Sequence, residues 1–154
     1  MTSIEVYEEE DVMGHQTTAG AGPSAALAGH LTAAQMDLVI RHLPIQVSVV
    51  DEDGTLVYWH GDLFADCELR HVGVHVDESH NEHSRQTIAR IEAAFRDGSR
   101  DEAVFRRIEE GRLILVRYAP LRDAAGAYRG MMETMQDITD IVGLEGAQLT
   151  LDWD

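Results

Sequence analysis

The chain has 154 residues and one cysteine, enough for one domain with a hydrophobic core and short for two. Aspartate and glutamate number 28 against 12 basic residues, all of them arginine, which gives a net charge of −16. Such a surface repels phosphate backbones and anionic lipid, so we expect the protein to bind neither nucleic acid nor a membrane surface directly. The composition fits a salt-loving host or a GC-rich genome, and it does not distinguish the two.

Location in the cell follows from what the sequence lacks. The lone Cys67 cannot form an internal disulfide and fits a reducing compartment. No apolar run approaches the ~20 residues of a membrane span. The N-terminus has no basic segment before an apolar stretch, so it is not a secretory signal. These features predict a cytoplasmic protein.

Residues 1–30 are predicted to be a disordered N-terminal arm. An acidic run occupies residues 8–11, and residues 15–29 are rich in Gly, Ala, Thr and Ser. No apolar periodicity emerges there. A flexible, solubilising arm is favoured over a docking peptide.

A helix and a β-hairpin are predicted next. Thr32 and Gln35 form a capping box that opens the helix, and Pro44 ends it. Alternating apolar residues predict a strand over 45–51, and a return strand follows an acidic turn at 55–59.

The second half of the chain predicts one longer helix and three strands. Residues 60–78 have no clear period and are expected to form short helical turns. Ser79 and Glu82 form a second capping box, which predicts a helix from Ser79 as N-cap through Arg96. Strands are predicted at 104–108, 112–121 and 128–137, followed by an exit helix within 140–154. This order predicts an α+β fold, a five-stranded antiparallel sheet with helices packed on one face and a ligand pocket between them.

Several short stretches carry a resemblance to a known family. They are 43–45, 50–54, 58–59, 79–80, 94–98, 111–112, 116–118, 134–139, 144–146 and 151–153. With the order of elements, they resemble a PAS domain over about residues 36 to 154, and in particular the PAS-like family found C-terminal to hemerythrin-like domains in bacterial and archaeal proteins of unknown function. The domain itself is predicted to span 31–139, including its N-terminal helix. Two departures lie above the expected pocket: residues 63–66 stand where the family has Phe-Pro-Arg, and residues 81–83 stand where it commonly has prolines.

The resemblance implies a sensory or signal-transducing module and not an enzyme. PAS domains bind haem, flavin or small metabolites, or bind nothing and dimerise, and they pass a signal through the last strand. The implied partners are a small molecule in the pocket, a second copy of the chain through the sheet face and terminal helices, and an unidentified separate effector protein. The cysteine motif of flavin photoreceptors is absent, as are common catalytic motifs.

Four histidines fall within thirteen residues, and they are the first candidates for cofactor or metal binding: His71, His75, His80 and His83. Neutral imidazole is a good ligand for haem iron or zinc. The resemblance implies a haem axial ligand on the helix predicted to begin at Ser79, with His80 as the first candidate and His83 as the second. A divalent metal held by these histidines with Glu82 or Asp77 is an alternative, and solvent-facing histidines are another.

Arg117 lies in an otherwise apolar strand. On a pocket face, its guanidinium could pair with a haem propionate or an acidic metabolite. A structural ion pair with a carboxylate on a neighbouring strand is the competing interpretation. Three hypotheses therefore stand: a haem-based gas or redox sensor, a cofactor-free PAS dimerisation or interaction module, and a receptor for a small anionic metabolite.

Overall fold

The computed structural model describes residues 29–63 and 71–147. The predicted arm, apart from Gly29 and His30, lies outside the described residues, as do Cys67 and the end of the predicted exit helix. In the described part of the chain, no helix is long and apolar enough to cross a membrane.

The first helix, α1, spans Ala33–Arg41. The predicted capping box at its start is confirmed, since Thr32 Oγ1 accepts from Gln35 N at 3.2 Å and Gln35 Oε1 accepts from Thr32 N at 2.9 Å. None of its residues is buried. The helix therefore leaves most of its apolar side chains exposed.

Five antiparallel strands form one sheet, which confirms the predicted α+β class. They are β1 Gln46–Asp51, β2 Leu56–His60, β3 Ala103–Glu109, β4 Arg112–Arg122 and β5 Tyr128–Asp137. Their order across the sheet is β2-β1-β5-β4-β3, so the last strand along the chain lies at the centre.

Two helical segments join β2 to β3, a 3-10 turn at Val76–Ser79 and the helix α2 at Glu82–Arg96. The predicted helix start at Ser79 is wrong, because Asn81 is the N-cap and its Oδ1 accepts from Ser84 N at 2.9 Å. The Ser79 hydroxyl instead donates to Val76 O at 2.9 Å. His80 is consequently an extended residue before the helix, with φ −126° and ψ 146°.

The hydrophobic core lies between α2 and one face of the sheet, here called the inner face. Ile88 and Phe95 of α2 are buried against inner-face residues of β1, β4 and β5: Val50, Ile114, Val116, Tyr118, Met131 and Met135. Because side chains alternate along a strand, Leu113, Leu115 and Arg117 of β4 lie on the opposite, outer face.

The segment after β5 is fastened to the start of β4. Ile138 N donates to Leu113 O at 2.9 Å, and Thr139 Oγ1 accepts from Leu113 N at 2.8 Å. From there to Ala147 the chain forms turns, so an exit helix is absent from this described part of 140–154. Gly143 and Gly146 interrupt the stretch, and glycine disfavours a helix by about 1 kcal/mol relative to alanine.

Candidate functional site

One row of side chains crosses the inner face of the sheet through four strands. Trp59 on β2 pairs with Ser48 on β1, Ser48 pairs with Glu133 on β5, and Glu133 pairs with Tyr118 on β4. Directly opposed residues of antiparallel strands point to the same face. The register therefore brings two hydroxyl groups to one carboxyl group, with the indole of Trp59 beyond Ser48 in the same row.

Glu133 is the centre of this row. Its Oε2 accepts a hydrogen bond from Ser48 Oγ at 2.8 Å, and its Oε1 accepts one from Tyr118 Oη at 2.6 Å. The residue is half-buried, and none of the ion pairs between described residues includes it. Hydroxyl donors satisfy a carboxylate without neutralising its charge.

A small cavity lies between this row and the 3-10 turn. Its volume is about 40 Å³, and its walls include Ser48, Trp59, His80 and Glu133 together with apolar side chains such as Met131. Since one water molecule needs about 10–15 Å³ of such volume, the cavity has room for a few waters.

A wider groove adjoins the cavity between α2 and strands β3 and β4. Its volume is about 320 Å³, at the lower end of the range for small-molecule pockets. His80, Ile88, Tyr118 and Glu133 line both spaces. Glu133 and its Tyr118 partner therefore lie where the small cavity meets the wider groove.

The structure places both predicted histidines, His80 and His83, at this groove. His80 Nδ1 lies 2.8 Å from Val76 O. A carbonyl oxygen only accepts, so Nδ1 carries the proton in this bond and Nε2 is left for another partner. His83 is exposed at the second position of α2.

The described residues do not fit haem or a metal centre as the sequence predicts. Over 29–63 and 71–147, no group of three His, Cys, Asp or Glu residues is close enough to hold a metal ion. The bond from His80 Nδ1 orients the imidazole as in a metal ligand. The cavity beside His80, at about 40 Å³, is nevertheless too small for a tetrapyrrole.

Arg117 lies away from this site. It is exposed on the outer face, and its Nη1 donates to Glu102 Oε1 at 3.1 Å. Arg117 therefore forms an ion pair, as the competing interpretation of the sequence has it. Its partner Glu102 precedes β3 and does not lie on a neighbouring strand. From this face, Arg117 does not line the cavity or the groove.

Sequence reasoning missed the central residues, Glu133 and its two hydroxyl partners. A signal for Glu133 was present, because strand alternation places it on the same face as Met131 and Met135. A carboxyl group on an apolar strand face is unusual and points to a polar partner or a ligand. Ser48 and Tyr118 carried no comparable signal, since only the register of the sheet brings them to Glu133.

An antiparallel sheet covered on one face by a helix and a 3-10 turn, with a cavity beneath them, defines the class of protein: an α+β domain with a cavity on one face of its sheet. Comparison with known proteins gives the family. The PAS domain family matches residues 36–139, so the chain belongs to the PAS domain family. PAS domains are typically sensory or signal-transducing modules rather than enzymes.

Solved structures share the fold. A C-terminal domain from Streptococcus mutans has 27% identity and a TM-score of 0.68, with 77% of this chain and 93% of that chain covered. The PAS domain of Bordetella pertussis BvgS has 17% identity and a TM-score of 0.53, with 68% and 84% covered. A PAS domain from Colwellia psychrerythraea has 15% identity and a TM-score of 0.51, with 70% and 97% covered. None of the curated proteins matches the chain.

Proposed function

We propose that this PAS domain is a sensor that binds a small organic molecule where the cavity and the groove meet. The observation that carries the proposal is the position of Glu133, a carboxyl group that lines both spaces. A half-buried charge without an ion-pair partner costs free energy unless it gains further polar contacts. A bound ligand would supply them.

The scaffold around Glu133 suits a binding site because it is rigid. Its two hydrogen-bond partners lie on the neighbouring strands β1 and β4, so three strands of the sheet fix the carboxyl group. The opposite wall, with His80, is a loop and a 3-10 turn. A ligand held between them would bind polar groups on both sides.

Glu133 also lies on the strand through which we expect a signal to leave. Four residues later β5 ends at Asp137, and the next two residues are hydrogen-bonded to Leu113 of β4. A ligand that shifts β5 would therefore alter the segment after Thr139. In this proposal the response passes to a separate effector protein or to a second copy of the chain.

Nuclear magnetic resonance with a fragment set tests the proposal. Saturable shifts are expected at the backbone amides of Ser48, Met131 and Glu133. Val74, half-buried in the cavity wall, and Val72, 65% exposed two residues earlier, provide a matched pair of variants. Val74→Phe should abolish the shifts, and Val72→Phe should preserve them. The proposal would be contradicted if Val74→Phe left the shifts unchanged, or if no fragment of the set bound the wild type.

A cofactor-free interaction module is a second candidate, supported by exposed apolar side chains at both ends of the described domain. Leu38 and Val39 of α1 are 56% and 48% exposed, and Val142 and Leu144 are 61% and 75% exposed. Sedimentation equilibrium of the full chain should then show a dimer that Leu38→Asp weakens. A monomer at all concentrations would remove this candidate.

We also propose the finer family assignment, to PAS-like domains that lie C-terminal to hemerythrin-like domains. The stretches at 134–139, 144–146 and 151–153 support it. The similar Streptococcus mutans structure is itself a C-terminal domain. Co-purification of this chain with a hemerythrin-like protein or segment from the same cells would strengthen the assignment, and genomes that encode the chain without any such protein would oppose it.

A further inference from the structure

We infer that the ligand of this site is a small organic cation, such as a protonated amine, and this inference rests on the proposed function. The charges on the walls are the first reason. Among the described residues that line the cavity, Glu133 is the only one with an Asp, Glu or Arg side chain. The other titratable groups that line it are Tyr118 and the imidazoles of His71, His75 and His80.

The hydrogen bonds of Glu133 leave acceptor capacity for such a ligand. Each carboxylate oxygen accepts one hydroxyl, from Ser48 or from Tyr118. An ionised carboxyl group has about four acceptor positions, so about two remain. An ammonium group has only hydrogen-bond donors, and it carries a positive charge. Among the described residues no ion pair places a positive charge at Glu133, so the ligand would provide it.

The neighbouring aromatic rings favour a cation in the same place. Tyr118 is the direct cross-strand partner of Glu133, and Trp59 lies in the same row two strands away. Both rings line the cavity. The faces of tyrosine and tryptophan attract ammonium groups within about 6 Å of the ring centre.

An anionic ligand is disfavoured by the same walls. It would be repelled by Glu133, and Arg117 contacts Glu102 on the other face of the sheet. The groove does contain Arg107, whose Nη2 lies 3.0 Å from Glu109 Oε2. The mixed charge of the groove and the negative charge of the cavity together favour a ligand whose cationic end enters the cavity.

Three probes of matched shape test the inference: benzylamine, benzyl alcohol and benzoate. Their dissociation constants would be measured by chemical-shift titration of the full chain at pH 7 and at physiological salt. Benzylamine should bind about tenfold more tightly than benzyl alcohol, a ratio that corresponds to about 1.4 kcal/mol. Benzoate should bind more weakly than either.

Two variants that remove one negative charge separate a local effect from the net charge of the protein. Glu133→Gln should bring benzylamine and benzyl alcohol to within about twofold of each other. Glu78→Gln, at an exposed residue of the 3-10 turn that does not line the cavity, should leave the tenfold preference unchanged. Backbone amide shifts that match the wild type at residues remote from the cavity would show that Glu133→Gln is folded.

The outcomes separate the inference from the proposed function. If benzyl alcohol or benzoate binds as tightly as benzylamine, or if the preference survives Glu133→Gln, the cation inference is overturned while the sensor proposal stands. If none of the three probes binds and no fragment of the wider set does, both fail. Equal loss of the preference in Glu78→Gln would assign it to overall charge and also overturn the inference.

Discussion

The hydroxyl of Tyr118 lies 2.6 Å from Oε1 of Glu133, and the two residues are direct partners across β4 and β5. Tyr118 belongs to the hydrophobic core, and this bond connects it to the carboxyl group at the centre of the site. The ring of Tyr118 also stacks on Phe105, with the ring centres 6.2 Å apart. One side chain thus links the edge strand β3 to the centre of the site.

Tyr118→Phe keeps the ring and removes the bond to Glu133. Hydrogen bonds to charged groups contribute about 1.5–3 kcal/mol, so we expect the free energy of unfolding to fall by about 2 kcal/mol. Urea denaturation measures this change. Tyr58→Phe, on the outer face of β2, is the control and should change stability by less than about 0.5 kcal/mol. Equal effects of the two variants would mean that the bond contributes nothing.

The helix start can be tested with a pair of variants at Asn81. Asn81→Ala removes the acceptor for Ser84 N, and the loss of an N-cap costs about 1 kcal/mol. Asn81→Asp keeps an oxygen at the same place and should match the wild type within about 0.5 kcal/mol. Thermal unfolding distinguishes them. A neutral Asn81→Ala would instead favour Ser79 as the N-cap.

Gly130 of β5 lies directly against the backbone of β1 at Val50 and Asp51. It has φ +125°, and an added Cβ would lie too close to Val50 O, which belongs to the backbone and cannot rotate away. Gly130→Ala should therefore destabilise the domain by more than about 3 kcal/mol, through both contact and backbone strain. Gly143→Ala, where nothing lies within 4 Å of the added atom, is the control. Comparable urea midpoints for the two variants would contradict this explanation.

The Asp137 carboxyl group at the end of β5 predicts a contribution to stability that depends on pH. Hydrogen bonds from the side chain and backbone of Thr139 lower the pKa of the Asp137 carboxyl group below its ordinary value of 3.8. Because the folded state favours the ionised carboxylate, Asp137 contributes its full stabilisation at pH values above the ordinary pKa of 3.8. This contribution is lost as the pH falls through the lower pKa of the folded state.

Asp137→Asn should consequently reduce stability at pH 7, and the difference from wild type should shrink as the pH falls below about 4. Chemical denaturation at pH 7 and at pH 3 measures it. The control is Asp140→Asn at an exposed neighbour. A stability difference that is the same at both pH values would show that the charge of Asp137 has no part in it.

Haem binding is tested by adding haemin to the purified protein. From the size of the cavity beside His80, we expect no sharp Soret band at one-to-one stoichiometry. The absorption spectra of wild type, His80→Ala and His83→Ala should coincide. A stoichiometric Soret band that disappears in His80→Ala would overturn this expectation and establish the haem sensor.

The sheet was predictable because its local signals agree. All five strands lie within one residue of their predicted bounds, and β5 has its predicted range, Tyr128–Asp137. Alternating apolar residues and turn glycines mark these boundaries in the sequence. The start of α2 was missed because Ser79 and Asn81 are both good N-caps, and only the 3-10 turn shows that the Ser79 hydroxyl is already in use.

The site was less predictable because it depends on distant pairing. Ser48 and Glu133 are 85 residues apart in sequence, and no local pattern fixes the register of β1 against β5. A cluster of histidines in a sequence predicts a metal site, because imidazole is the commonest metal ligand in proteins. Here the histidines of the cluster come from the loop, the 3-10 turn and the start of α2, and the carboxyl group that lines the same spaces comes from β5.

The two edges of the sheet differ in how they are closed to other chains. The edge of β2 is occupied by residues 73–76, since Leu56 N donates to Val74 O at 2.9 Å and Gly73 N donates to Leu56 O at 2.8 Å. In the described part of the chain, β3 has no strand beyond it, and it exposes Arg106 and Arg107. Charged residues on an edge strand oppose pairing with a second copy. We expect Arg106 and Arg107 to oppose edge-to-edge pairing of two copies, and concentrated salt, which screens charge, to weaken that effect.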